Sequence, residues 1–84
     1  MHYLVFHVGD NDTVIDIENK VGFKGTEQEC VDKFRELSDK ACDFNEYSSG
    51  IDNEGRMWFR TVKSDRSYIK VWLCNKEQAK PLVF

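Results

Sequence analysis

The stretch GRMWFRTVKSDRSYIKVWLCN, Gly55–Asn75, decides how this chain folds. Tyr68–Cys74 alternates strictly: Ile69, Val71 and Leu73 face one way, and Tyr68, Lys70, Trp72 and Cys74 face the other. The stretch Arg56–Lys63 is equally rich in β-formers, and the polar Ser64–Ser67 joins the two. This is a β-hairpin with an aliphatic face and a basic-aromatic face. Register decides which residues of the first strand join each face. An odd loop such as Ser64-Asp65-Arg66 places Trp58 and Arg60 beside Tyr68, Lys70 and Trp72, with Met57 and Phe59 in the core. The two-residue loop Asp65-Arg66 brings up Phe59, Thr61 and Lys63 instead and turns Arg60 into the core. The first register avoids a buried guanidinium and is preferred.

The aliphatic face needs a partner, and the chain supplies one upstream. Thr26-Glu27-Gln28-Glu29 is a capping box that opens a helix, with two glutamates suited to the positive end of its dipole. Cys30, Phe34, Leu37, Ala41 and Phe44 then recur at steps of four and three, widened by Val31, as one apolar stripe. Upstream again, His2–Val8 reads as a buried strand, Gly9–Asp12 as a turn and Thr13–Ile17 as a second strand. Val21–Gly25 reads as a glycine-punctuated connection, Asn45–Ile51 as a loop or weak strand, and Asp52–Gly55 as a turn. Gln78–Phe84 reads as a short tail with an apolar tip. The order β-β-α-(β)-β-β predicts a single α+β domain over residues 1–84. It has two layers: an antiparallel sheet of four to five strands and one helix on one face. The other face must then be polar, covered by the tail, or buried on a partner.

Composition narrows the function classes. With 84 residues, 40% hydrophobic and 32% charged, the chain is an ordinary globular domain with a modest core. No apolar run approaches the roughly 20 residues of a membrane span, and the N-terminal stretch lacks the pattern of a signal peptide. Three cysteines without paired spacing argue against a disulfide scaffold and for reduced thiols in the cytoplasm. Cys30 and Cys42 lie on one helix about 18 Å apart and cannot bond to each other.

Catalysis finds little support. His2 and His7 sit an odd number of positions apart on one strand and so point to opposite faces. No CxxC, HExxH, GxxxxGK(S/T) or GxGxxG occurs, and no metal or cofactor is expected. Asp10-Asn11-Asp12 resembles an acidic calcium loop, but Ile15 and Val21 stand where its glycine and glutamate belong. Asp16 with Glu18 and Lys20 matches the short E-x-K pattern of metal-dependent nucleases, a lesser enzymatic alternative in so short a chain.

Charge and aromatic content point to binding. Residues 1–55 hold five Lys/Arg against thirteen Asp/Glu, while residues 56–84 hold seven against two. Such asymmetry suits a charged partner. The candidate binding residues are Trp58, Arg60, Arg66, Tyr68, Lys70 and Trp72, aromatics interleaved with cations. Trp, Tyr and Arg are favoured anchors of protein interfaces, including those of a homodimer. The same mixture suits RNA or single-stranded nucleic acid, with bases stacked on rings and cations on phosphates. Asp32, Glu36, Asp39 and Asp43 on the helix offer a third mode, acidic mimicry of nucleic acid, diluted by Lys33, Arg35 and Lys40.

The chain is small, begins in a strand, is rich in Asp, Glu and Lys, and has only two alanines and one proline. In this general character it resembles the small early proteins of tailed bacteriophages that act in host takeover and counter-defence. That resemblance implies a non-enzymatic protein that binds and occludes a functional surface of a host protein, a nuclease or a protein–nucleic acid complex in the host cytoplasm. It assigns no residue a role.

Overall fold

The computed structural model describes residues 1–10, 19–43, 46–62 and 67–84. These form strands β1 (His2–Asp10) and β2 (Lys20–Gly25), helix α1 (Glu27–Ala41), strands β3 (Glu46–Ile51), β4 (Met57–Val62) and β5 (Ser67–Asn75), and helix α2 (Lys76–Val83). The strands make one antiparallel sheet in the order β2-β1-β5-β4-β3. The fold is α+β, with α1 on one face and the short α2 on the other.

The hairpin adopts the odd-loop register. Trp58 lies opposite Trp72, Phe59 opposite Val71, Arg60 opposite Lys70, and Val62 opposite Tyr68. Helix α1 opens with the Thr26/Glu29 capping box, the Thr26 hydroxyl accepting from the Glu29 amide at 3.2 Å and the Glu29 carboxylate from the Thr26 amide at 3.0 Å. Its Cys30, Phe34 and Ala41 close on Leu4, Phe59 and Val71, with Phe6, Phe23, Leu37, Ile69 and Leu73 around them. Phe34 and Phe59 meet edge to face at 5.2 Å. Phe44, the last residue expected in this stripe, lies outside the described residues.

Several features differ from the sequence expectation, among them Gly9 and Asp10, read as the start of a turn, which close strand β1 because both pair with β5. Val21–Gly25, read as a connection, belongs to strand β2, while the expected strand Thr13–Ile17 lies outside the described residues. Two glycines disguise β2. Gly22 is the extra residue where the β1–β2 register shifts, and the Phe6 ring lies across it, so a Cβ there would meet the ring at 2.5 Å. The tail is a helix, because Asn75 and Gln78 form a second capping box whose reciprocal bonds measure 2.8 and 2.9 Å. Pro81 falls near the end of that helix, where a missing amide costs one bond rather than the element. Of Asn45–Ile51, read as a loop or weak strand, Glu46–Ile51 is a regular strand paired to β4 without a break. Met57, expected in the core, is 47% exposed, because it stands at the first position of β4, outside the cluster that closes on Phe34 and Phe59.

Helix α2 builds a second, smaller core on the far face. Ala79 is fully buried with Val5, Trp72 and Cys74, and Tyr3, Trp58, Leu82 and Val83 surround them. Burial there raises the Cys74 thiol pKa to about 11, which keeps it protonated and inert. A polar clamp holds the start of α2. Arg56, only 6% exposed, donates from Nε to the Gln78 carbonyl at 2.8 Å and from Nη1 to Asp52 at 2.8 Å. The Gln78 side chain donates from Nε2 to the Glu54 carbonyl at 3.2 Å.

Candidate binding face

Alternation and register place three rows of side chains across the far face of the sheet. One row runs Gly50, Trp58, Trp72, Val5 from β3 to β1; the next runs Ser48, Arg60, Lys70, His7; the third runs Glu46, Val62, Tyr68, Gly9. From Arg60 to His7 the middle row is therefore a line of nitrogen bases walled by tryptophans on one side and by Tyr68 on the other. Helix α2 packs on β1 and β5. It covers the tryptophan row at Trp72, which is 9% exposed, and leaves Trp58, Arg60, Tyr68 and Lys70 half-buried.

Within these rows the cations sit on the rings. Lys70 Nζ lies 4.7 Å from the Trp58 ring centroid and 4.9 Å from that of Trp72, and the Arg60 guanidinium lies 4.4 Å from the Tyr68 centroid. Arg60 and Lys70 are directly opposed like charges, an arrangement that by itself destabilises a sheet. Burial pulls the Lys70 pKa below the usual lysine value; the Asp52 carboxylate opposes this and Arg60 reinforces it. Among the described residues Lys70 has no carboxylate partner in an ion pair.

Tyr68 is fixed from the β1 side. Its ring folds over Gly9, where a Cβ would lie 2.5 Å from the ring. Its hydroxyl is 3.1 Å from His7 Nε2, and His7 Nδ1 is 2.7 Å from Asn19 Oδ1. Asn19 Nδ2 in turn donates to the Leu82 carbonyl at 3.3 Å. These bonds set the tautomer. Asn19 Oδ1 can only accept, so His7 Nδ1 carries hydrogen, and in the neutral ring Nε2 accepts from Tyr68. A relay of side chains thus ties the end of α2 to the wall of the cationic row.

Of the sequence candidates, Trp58, Arg60, Tyr68, Lys70 and Trp72 come together, with Trp72 as a buried wall rather than a contact residue. Arg66 lies outside the described residues, as do Asp12, Asp16 and Glu18 of the calcium-loop and nuclease matches. His7, Asn19, Gly9 and Ser48 are not among the sequence candidates for this face, because only the β1–β5 pairing brings His7 and Gly9 beside Lys70 and Tyr68. His2 points the other way, 4.0 Å from Glu27. On α1 the acidic surface is partly self-neutralised: Glu36 binds Lys33 at 3.2 Å and Lys40 at 3.4 Å, which lowers its pKa. Among the described residues no three His, Cys, Asp or Glu side chains gather as metal ligands, and no helix is long and apolar enough to cross a membrane.

No protein-family model matches the chain, and comparison with curated proteins and with solved structures likewise finds no match.

Proposed function

We propose that this chain is a binding protein without catalysis of its own, which docks the Trp58–Arg60–Tyr68–Lys70 face on a carboxylate-bearing surface of another protein and occludes it. The observation that carries this reading is the pair of opposed cations, Arg60 and Lys70, held half-buried on aromatic rings in the part of the far face that α2 leaves open. Lys70 lies opposite a like charge and, among the described residues, has no carboxylate partner, so an anion beside it is favoured. Ring walls desolvate that anion and make each hydrogen bond to it count for more. A host protein or nuclease surface, as in phage counter-defence, is the kind of target such a blocker would take.

Single-stranded RNA is the weaker reading. Base stacking needs a free ring face, whereas Trp58 has Lys70 on it and Gly50 against it, at 3.3 Å from its would-be Cβ. A chain of net charge −3 also repels a polyanion. Fluorescence anisotropy with a labelled single-stranded RNA at low salt is expected to show no binding. A steep, salt-sensitive isotherm that vanishes in Lys70→Ala would overturn the protein-surface reading in favour of RNA.

A further inference from the structure

The two edges of the sheet are built differently. At β2, Lys20 and Lys24 stand on the strand, and the irregularity at Gly22 breaks its line. These are the devices that keep sheet edges from pairing with one another. Edge strand β3, Glu46-Tyr47-Ser48-Ser49-Gly50-Ile51, has none of them. It is exposed along its whole length, unbroken in register, and carries neither lysine nor proline. From Tyr47 to Ile51 it bears no charge at all.

Its hydrogen-bonding phase follows from the turn that closes the β3–β4 hairpin. The Asp52 amide donates to the Arg56 carbonyl at 3.0 Å, and Thr61 Oγ1 donates to the Glu46 carbonyl at 2.8 Å. Even-numbered residues of β3 therefore turn their main-chain groups inward to β4, and Tyr47, Ser49 and Ile51 turn theirs out to solvent. A two-fold axis normal to the sheet keeps each side chain on its own face, so residues of equal parity must oppose one another. The register centred on Ser49 satisfies this and uses all three outward residues, Ser49 against Ser49 and Tyr47 against Ile51.

We infer that β3 is a self-association edge: two copies of this chain pair their β3 strands antiparallel about Ser49, forming one continuous ten-stranded sheet. Each of the three outward positions exchanges two bonds with its partner, about six main-chain hydrogen bonds in all. Tyr47 and Ile51, both exposed in the single chain, come to cover each other across the seam, with Met57 next to Ile51. Two negatively charged molecules would meet along an uncharged strip. At the rim, Glu46 falls near the second copy's Asp52, whose charge is already held by Arg56. One strand pair is a small interface, below about 1,200 Å², so the dimer is expected to be weak and concentration-dependent. It would place the far faces of both copies on the same side. This inference does not depend on what those faces bind.

The test is sedimentation velocity of the whole chain from micromolar to millimolar concentration. The wild type is expected to shift from monomer to dimer. Ser49→Lys should weaken the dimer by about tenfold or more, because it restores the missing edge charge. Ser49→Pro, which removes the outward amide at the axis, should do the same with an unchanged circular dichroism spectrum. Should the proline variant fail to fold, the lysine variant alone decides. In a Cys42→Ser background, Ser49→Cys should cross-link on mild oxidation, since directly opposed residues of this type lie about 5.5 Å apart at Cα. A wild type that stays monomeric at millimolar concentration overturns the inference. So does a dimer unaffected by Ser49→Lys, or cross-linking through Ser48→Cys in place of Ser49→Cys.

Discussion

Arg56 shows how one side chain joins three parts of the chain. Its guanidinium reaches Asp52 in the turn after β3 and the Gln78 carbonyl in α2. Burial raises the Asp52 pKa, but hydrogen bonds from Arg56 and from the Glu54 and Arg56 amides outweigh it and leave the pKa below its ordinary value of 3.8. A carboxylate with a depressed folded pKa contributes stability that is complete above its unfolded pKa and is lost as pH falls through the folded one. Arg56→Met should destabilise the protein by about 2–3 kcal/mol near neutral pH, since it leaves a half-buried carboxylate without its cation. Urea unfolding midpoints followed from neutral to acid pH check this. The wild type should lose stability below about pH 4, and the variant should lose less; parallel curves would show that the pair carries no net charge interaction. Sequence reading assigned Arg56 only to a strand. Its role was invisible there because Gln78, its second partner, lies in a segment read as tail.

Among the elements, the helix with the long apolar stripe was plain in the sequence and the short one was not. For α1, capping box and periodicity agree with each other, and both agree with the aliphatic trio Ile69, Val71 and Leu73 that it covers. In α2 a single buried position, Ala79, carries the contact, and a proline stands within eight residues. Eight residues give too little periodicity to see, leaving the Asn75/Gln78 box as the only local mark. Strand β2 is hidden for the converse reason, since its glycines read as a connection when one of them is a bulge under the Phe6 ring. The hairpin register was legible because a wrong register buries Arg60. Ala79→Asp should set a charge against Val5, Trp72 and Cys74 and detach α2, at a cost of about 3 kcal/mol or more. Tryptophan emission should then shift to the red while the α1 side keeps its helical dichroism. An unshifted spectrum would mean that α2 does not shield Trp72.

At the scale of the whole molecule, the charge asymmetry of the sequence becomes a spatial one. The acidic helix α1 stands on one side of the sheet, and the Arg60–Lys70 row stands on the other, beside the cap formed by α2. Alternation predicts that Trp58, Arg60, Tyr68, Lys70 and Trp72 share a face, and they do. Their stacking on one another, and the support from His7 and Asn19, required the strand order and in particular the pairing of β1 with β5. The proposal that this face grips a protein surface is tested most directly by affinity capture from a cell lysate. Wild type is compared with a Trp58→Ala/Lys70→Ala variant of unchanged thermal melting, each with and without ribonuclease. The account predicts a protein retained by the wild type, indifferent to ribonuclease and lost from the variant. A protein retained equally by both chains, or released from the wild type by ribonuclease, would contradict it.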